Sequence, residues 1–184
     1  MNHDIVIVDL ETTGLVPGQH EIIELGFIYC VLRDGQLVKV DSFHSYVRPY
    51  HKSRVEDDAM SVNKIPWETL ENAPTPTEVR SNLERWWESC VSTQAIHAGQ
   101  NPGFDKAFLI RFLGQETYDK FFEYWTLDSK SMAWAQQVAG HIPEEESLSL
   151  DQLMMHYDVY EKPHSALGDT WTTMAIMNKM IGNQ

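Results

Sequence analysis

Apolar residues follow two patterns along this chain, unbroken β-rich runs near the N-terminus and helical spacings further on. Ile5, Val6, Ile7 and Val8 form a continuous β-branched run. A run that is apolar on both faces predicts a strand in the middle of a sheet, here over Asp4 to Leu10. Thr12-Thr13-Gly14 ends it. Ile22 to Leu32 reads as a second long strand, followed by Arg33-Asp34-Gly35-Gln36. An Asp-Gly pair between two β-rich runs predicts a hairpin, with Leu37 to Val47 returning antiparallel. After Pro49 the pattern changes, and His51 to Pro76 predicts short helical pieces broken by Pro66, Pro74 and Pro76. Leu83, Trp86, Trp87 and Cys90 recur at helical spacing, so a helix is expected from about Glu78 to Val91 with Thr77 as its N-cap.

A short strand, Gln94 to His97, precedes Gly99-Gln100-Asn101-Pro102. There Asn101 reads as an N-cap and Pro102 as the first residue of a helix reaching about Leu113. Phe121 to Leu127 reads as a strand, Ser129 to Ala139 as a helix and Ser149 to His156 as a shorter one. The last helix is expected to begin after Pro163 and to run to about Ile181. Three strands followed by alternating helices and strands predict an α/β fold, a mixed central β-sheet flanked by helices. One domain, residues 1–184, accounts for the whole pattern.

Composition narrows the class. The chain has 184 residues, 42% hydrophobic and 22% charged, which suits one globular domain. An aromatic content of 11%, with eight prolines and ten glycines, excludes disordered, collagen-like and coiled-coil chains. No apolar run approaches the roughly 20 residues of a membrane span. The opening Met-Asn-His-Asp lacks the basic patch of a secretory signal. Cys30 and Cys90 are the only cysteines, so no disulfide framework is implied and a reducing, cytoplasmic location is expected. Fourteen Lys and Arg against 27 Asp and Glu give a formal charge of −13. Proteins that grip long nucleic acids usually carry a basic stripe, because phosphate neutralisation supplies most of their affinity. None is visible, so any nucleic-acid contact should be short, end-directed or mediated by metal ions. Much of the acid needs no explanation beyond solubility.

Some of the carboxylates do need one. Asp9 and Glu11 lie two apart on the first strand and so leave the same face of the sheet. They sit at its C-terminal end, where open α/β sheets tend to place ligands. Asp105 follows the start of its helix by one turn and shares the apolar face of Phe108, Leu109 and Phe112. A helix dipole explains that position along the helix but not the facing. Asp169 shares a face with Thr173, Ile176 and Met180 on a helix apolar on two sides, where an unpartnered carboxylate is costly. Four carboxylates from three separated elements, without thiols, suit the hard cations Mg²⁺ or Mn²⁺ rather than zinc. Two such ions would clamp an in-line phosphoryl displacement. His164, five residues before Asp169, would accept the proton of the attacking water. Taken singly, each residue also has a plain reading: a solvated strand-end acid, a first-turn acid, a surface histidine.

Asp9-Leu10-Glu11-Thr12-Thr13-Gly14 resembles the first motif of the DEDDh, or DnaQ-like, 3′–5′ exonucleases. Asn101-Pro102-Gly103-Phe104-Asp105 resembles their second motif, and His164-Ser165-Ala166-Leu167-Gly168-Asp169 their third. The stretch from Asp57 to Val79 is similar to the family's linker, and the order of motifs matches along nearly the whole chain. The resemblance implies an RNase H-like fold and stepwise release of nucleoside 5′-monophosphates from the 3′ end of single-stranded DNA or RNA. It implies Asp9, Glu11, Asp105 and Asp169 as ligands of two divalent metal ions, Mg²⁺ or Mn²⁺, and His164 as general base. It also implies that Thr12 meets the terminal 3′ hydroxyl, that Leu15 wedges against the terminal bases and that Phe104 shapes the same pocket. Gln100 departs from the family, whose members often have His before the second-motif Asn. Other histidines, among them His20, His44 and His97, lack motif support and read as structural or surface residues. Trp86-Trp87 and Met154-Met155 read as core.

Two alternatives stand beside the exonuclease. A strand ending in Asp-x-Glu-x-Thr superficially resembles the aspartyl-phosphate loop of phosphatase-like phosphotransferases, which would form a covalent intermediate. A binding module of the same fold without turnover is the non-enzyme reading. The acidic balance further implies weak intrinsic grip and low processivity unless a polymerase or other tethering protein holds the substrate.

Overall fold

The computed structural model describes residues 3–91, 93–159 and 165–182. Its five strands, β1 (Asp4–Thr12), β2 (Ile22–Arg33), β3 (Gln36–Tyr46), β4 (Ala95–Gly99) and β5 (Phe122–Asp128), form one sheet in the order β3-β2-β1-β4-β5. β1, β2 and β3 pair antiparallel, while β4 joins β1 and β5 joins β4 in parallel. The mixed sheet expected from the sequence is therefore present. The hairpin closes at Asp34 and Gly35, with φ of 52° and 78°. Two positive φ values in a two-residue loop match the right-handed twist of the flanking strands, which is why Asp-Gly serves there.

β1 lies at the centre and is buried on both faces, as its unbroken apolar run predicts. Val6, Val8 and Leu10 point into one layer with α3 (Pro76–Cys90), α4 (Gly103–Leu113) and α5 (Gln115–Phe121). Ile5 and Ile7 point into the other, against α6 (Ser129–Val138), α7 (Leu150–His156) and α8 (Ala166–Gly182). The expected short helical pieces are a 3-10 turn at Lys52–Arg54, α1 (Asp57–Asn63) and α2 (Trp67–Glu71). Ile65 and Leu70 close over Ile23 in a small third cluster. Among the described residues no helix is long and apolar enough to cross a membrane, and both cysteines are free.

Local chemistry moves several expected boundaries. α3 is capped by Thr75 rather than Thr77. The Thr75 hydroxyl accepts from Glu78 N–H, and the Glu78 carboxylate accepts from Thr75 N–H at 2.8 Å. This reciprocal capping box, with Pro76 at the first position, starts the helix earlier. Asn101 is not an N-cap: its φ of 59° is left-handed, and α4 begins at Gly103 after Pro102. α5 was not expected, because Tyr118 and Phe121 are its only buried residues, too few to show a period. Trp87 stacks on Phe121 at 4.4 Å, and Trp86 packs on Phe27 and Phe43, so that pair is core. Met154 packs on the second layer's core, but Met155 is exposed, so only half of that pair behaves as expected.

One glycine sets the position of the last helix. A Cβ on Gly26 would fall 2.3–2.4 Å from the backbone of Ala166 and Leu167. The start of α8 therefore rests directly on β2, opposite Asp9 in the register of β1.

Candidate active site

Asp9 and Glu11 continue the series of Ile5 and Ile7, so they emerge on the α8 side at the end of β1. Because Gly26 lets α8 approach, Asp169, in its first turn, reaches the same place. Asp9, Glu11 and Asp169 each offer a carboxylate oxygen, and the three oxygens lie within 4.8 Å of one another. Asp105 arrives from the opposite layer. It stands in the first turn of α4, is 4% exposed, and accepts hydrogen bonds from the backbone N–H groups of Leu10 and of Asp105 itself. Two helices from opposite faces thus meet over the end of one strand.

Electrostatics shows what this convergence costs. Burial, then the charges of Asp105, Asp169, Glu11 and Glu24, raise the Asp9 carboxyl well above its ordinary range. Burial followed by Glu24 and Asp169 raises Glu11 to about 7. Burial raises Asp105 to about 8, against the two backbone hydrogen bonds that favour its ionised form. Acids so perturbed are not solvated strand-end groups, nor do they hold the adjacent turn. Thr12 Oγ1 donates to Gly14 O at 2.7 Å, and Thr13 Oγ1 accepts from Glu21 N–H at 2.9 Å, so the turn closes without them. Like-charged carboxylates in a partly dry site either keep protons or share a cation. An oxygen-only donor set of this kind fits Mg²⁺ or Mn²⁺.

Glu24 belongs to the same neighbourhood and was not singled out in the sequence. It pairs with Glu11 across the β1–β2 ladder and is 1% exposed. Its Oε1 accepts from His44 Nε2 at 2.7 Å, while Oε2 has no hydrogen-bond partner. The signal was available: a lone acid inside the apolar run Ile22-Ile23-Glu24-Leu25 is as anomalous as Asp169. His164 lies outside the described residues.

Beside the acids is a cavity of about 340 Å³, lined by Glu11, Thr12, Leu15, Glu56, Val62 and Phe104. Its volume is at the lower end for small-ligand sites. It brings together Thr12, Leu15 and Phe104, the three residues the family resemblance assigned to the terminal nucleotide. Leu15 is 73% exposed at its rim, whereas Phe104 is partly buried and packs on Phe108 at 4.9 Å. The loop carrying Leu15 is fastened by His20. The His20 ring accepts from Val16 N–H at Nδ1 (2.9 Å), and its Nε2 lies 3.2 Å from Glu56 Oε1. A Cβ on Gly14 would strike this ring at 2.6 Å. His20 is thus structural, as expected, but it braces the rim of the cavity.

His97 and Gln100 have structural partners. His97 is buried, bonds Tyr118 Oη at 2.8 Å and is driven down to about 3, first by burial and then by Lys106. Gln100, at the departure from the family, donates to Leu148 O at 2.9 Å and accepts from Ser129 Oγ. It ties the β4–α4 turn to neighbouring segments.

Comparison with known proteins agrees with this arrangement. The family model RNase_T, described as exonuclease, matches residues 6–177. Ribonuclease T of Buchnera aphidicola subsp. Schizaphis graminum is 26% identical over 189 aligned residues, covering 96% of this chain and 82% of that protein. A PolC-type DNA polymerase III of Thermotoga petrophila is 32% identical over 108 residues, 59% of this chain but 7% of the polymerase. Among solved structures, the nuclease domain of 3'hExo, a DEDDh family member bound to rAMP, superposes with a TM-score of 0.72 at 20% identity, covering 97% of this chain and 92% of that one. With its mixed sheet and converging acids, the chain belongs to the RNase_T exonuclease family and has the DnaQ-like, RNase H-like fold.

Proposed function

We propose that this protein is a 3′–5′ exonuclease that hydrolyses the terminal phosphodiester bond of single-stranded DNA or RNA and releases nucleoside 5′-monophosphates. The observation that carries the reading is the meeting of Asp9, Glu11 and Asp169 with buried Asp105 beside a nucleotide-sized cavity. Asp9, Glu11, Asp105 and Asp169 would hold two Mg²⁺ or Mn²⁺ ions. Bound there, the ions supply Lewis-acid stabilisation of the phosphoryl group and acidify the attacking water.

The chain's own residues do the rest. Thr12 Oγ1 donates to Gly14 O, which leaves its lone pairs free to accept from the terminal 3′ hydroxyl. Leu15, exposed at the rim, wedges between the last bases, and Phe104 supplies an apolar wall. His164 takes the proton of the attacking water on its imidazole. Ribonuclease T and rAMP-bound 3'hExo among the similar proteins support an end-directed nuclease that accommodates a nucleoside monophosphate. The similarity to a segment of a polymerase supports a tether as one way to overcome the grip that a charge of −13 denies.

A time course with 5′-labelled single-stranded DNA and RNA of matched sequence tests the reading. Mg²⁺ or Mn²⁺ should give a ladder shortening from the 3′ end, abolished by EDTA and by Asp9→Ala. Binding of either strand without any ladder would instead favour the non-catalytic module.

A further inference from the structure

On the other side of the 13–21 loop lies a second cleft, of about 220 Å³, whose lining includes none of Asp9, Glu11, Asp105 and Asp169. Ile22, Pro49, Phe112 and Tyr50 form its apolar lining, and two guanidinium groups, Arg80 and Arg111, flank it. The Arg80 guanidinium stands 5.8 Å from the Phe112 ring centre and donates to the Pro76 carbonyl and the Thr77 hydroxyl, each at 3.4 Å. Arg111 lies against Gly18, where a Cβ would be 3.7 Å from its Nε. Neither arginine pairs with a carboxylate among the described residues. Glu21, the acid at the cleft, is held instead by the backbone N–H groups of Tyr50 (3.0 Å) and His51 (2.8 Å).

Two guanidinium groups on one cleft, neither paired with a carboxylate among the described residues, are out of character for a chain with 27 acidic and 14 basic residues. Guanidinium forks match phosphate oxygens, and an exposed aromatic ring beside them provides a stacking surface for a base. Tyr50, 61% exposed, is that ring. The cleft is too small to enclose a whole drug-sized ligand, so one sugar–phosphate unit is the fitting occupant. It also lies next to the catalytic cavity. Thr13 and Glu21 hydrogen-bond across the neck of the loop that separates the two, and Leu15 and Val16 on that loop are exposed apolar residues.

We propose that the Arg80–Arg111 cleft is a second subsite, which holds a phosphate of the single strand upstream of the bond being cut, with Tyr50 against the adjoining base. The inference rests on the exonuclease reading and extends it. The 3′ end occupies the cavity at Leu15, the strand crosses the loop over Leu15 and Val16, and the backbone is caught by the two arginines. The acidic surface elsewhere then limits the grip to these few contacts.

The test compares a 5′-labelled single-stranded 12-mer with a dinucleotide of the same 3′ sequence, using Arg80→Gln/Arg111→Gln and a charge control, Arg85→Gln, elsewhere on α3. Exposed ion pairs contribute little each, so the ratio of kcat/KM for the 12-mer to that for the dinucleotide should fall several-fold to about tenfold in the double variant. Loss of the contact to that phosphate should lower the slope of log KM against log salt for the 12-mer by about 0.7. The control should keep the parent's ratio and slope. A double variant with the parent's ratio and slope would overturn the subsite. So would an equal loss on both substrates, which would mean that the arginines act on the catalytic centre instead. Fluorescence anisotropy of the labelled 12-mer in EDTA reads the same contacts without turnover. A parent that binds but does not cut would refute the exonuclease reading, while the anisotropy slope would still decide the cleft.

Discussion

Two polar groups sit in neighbouring strands of the same sheet and meet opposite fates. His97 on β4 is fully enclosed, and burial pushes it down to a neutral ring that closes on the Tyr118 hydroxyl. Asp9 on β1 is surrounded by other acids, each of which raises it further. The first group is reconciled with burial by losing its charge to a neutral partner. Among the described residues, the charges that act on the second are those of Glu11, Asp105, Asp169 and Glu24, all like its own. A fold that neutralises one buried ionisable group and crowds five carboxylates at the end of the neighbouring strand is concentrating cost at one strand end. Such concentration marks a ligand site, and its like charge specifies a cation.

The contrast can be broken most strongly at Asp9. Asp9→Asn should lower turnover by roughly 10³-fold or more, since it removes a ligand shared by the whole cluster. The metal-free variant should nevertheless unfold at a higher temperature than the metal-free parent, because a repelled carboxylate has gone. Steady-state kinetics and thermal unfolding of the same sample check both halves. His164→Ala should cost about 10²–10⁴-fold in kcat and leave divalent-ion affinity near the parent's, which separates proton transfer from metal binding. Gly26→Ala should destabilise by about 1–3 kcal/mol through overpacking against the start of α8. It should also weaken metal affinity, because Asp169 moves with that helix.

pH sharpens the comparison further, since the two regions respond with opposite signs. Glu11 and Asp105 keep protons in the folded chain up to about 7 and 8, whereas the unfolded chain loses them near 4. Their contribution is therefore fully present at low pH and is lost as pH rises toward 8. His97, at about 3 when folded against about 6.5 unfolded, does the reverse, and its contribution is lost as pH falls below 6.5. Between pH 6.5 and 8.5 the carboxylates outweigh the remaining titration of unfolded His97, and the metal-free protein should lose about 2 kcal/mol, read by urea unfolding. Tyr118→Phe is the smallest change. It should cost about 1 kcal/mol of stability and leave kcat near the parent's, since neither His97 nor Tyr118 lines the cavity beside the acids.

The parts of this picture legible in the sequence are those where a residue type contradicts its local pattern. Asp105 and Asp169 stood out as acids on apolar helix faces, and the structure turns both toward the end of β1. Asp34-Gly35 announced its hairpin because only a few residue pairs accept two positive φ values. Less legible was whatever depends on packing between distant segments. The role of Gly26 appears only when α8 is seen resting on it, and His20 only when its ring is found between Val16 and Glu56. Glu24 was legible in principle, but a single acid in a long β-run carries weight only once Glu11 is known to lie across the ladder. Caps were misplaced by one or two residues because Thr75 and Thr77 are equivalent in type, and Glu78 decides between them.

The central claim is that the strand-end carboxylates are a divalent-cation site whose repulsion the ion relieves. Thermal unfolding at pH 8, with and without Mn²⁺, for the parent and for Asp9→Asn, tests it most directly. The account predicts a rise in the parent's midpoint that grows with Mn²⁺ concentration, as binding linkage requires, and a much smaller rise in the variant. Equal shifts in both proteins, or none in the parent, would contradict it.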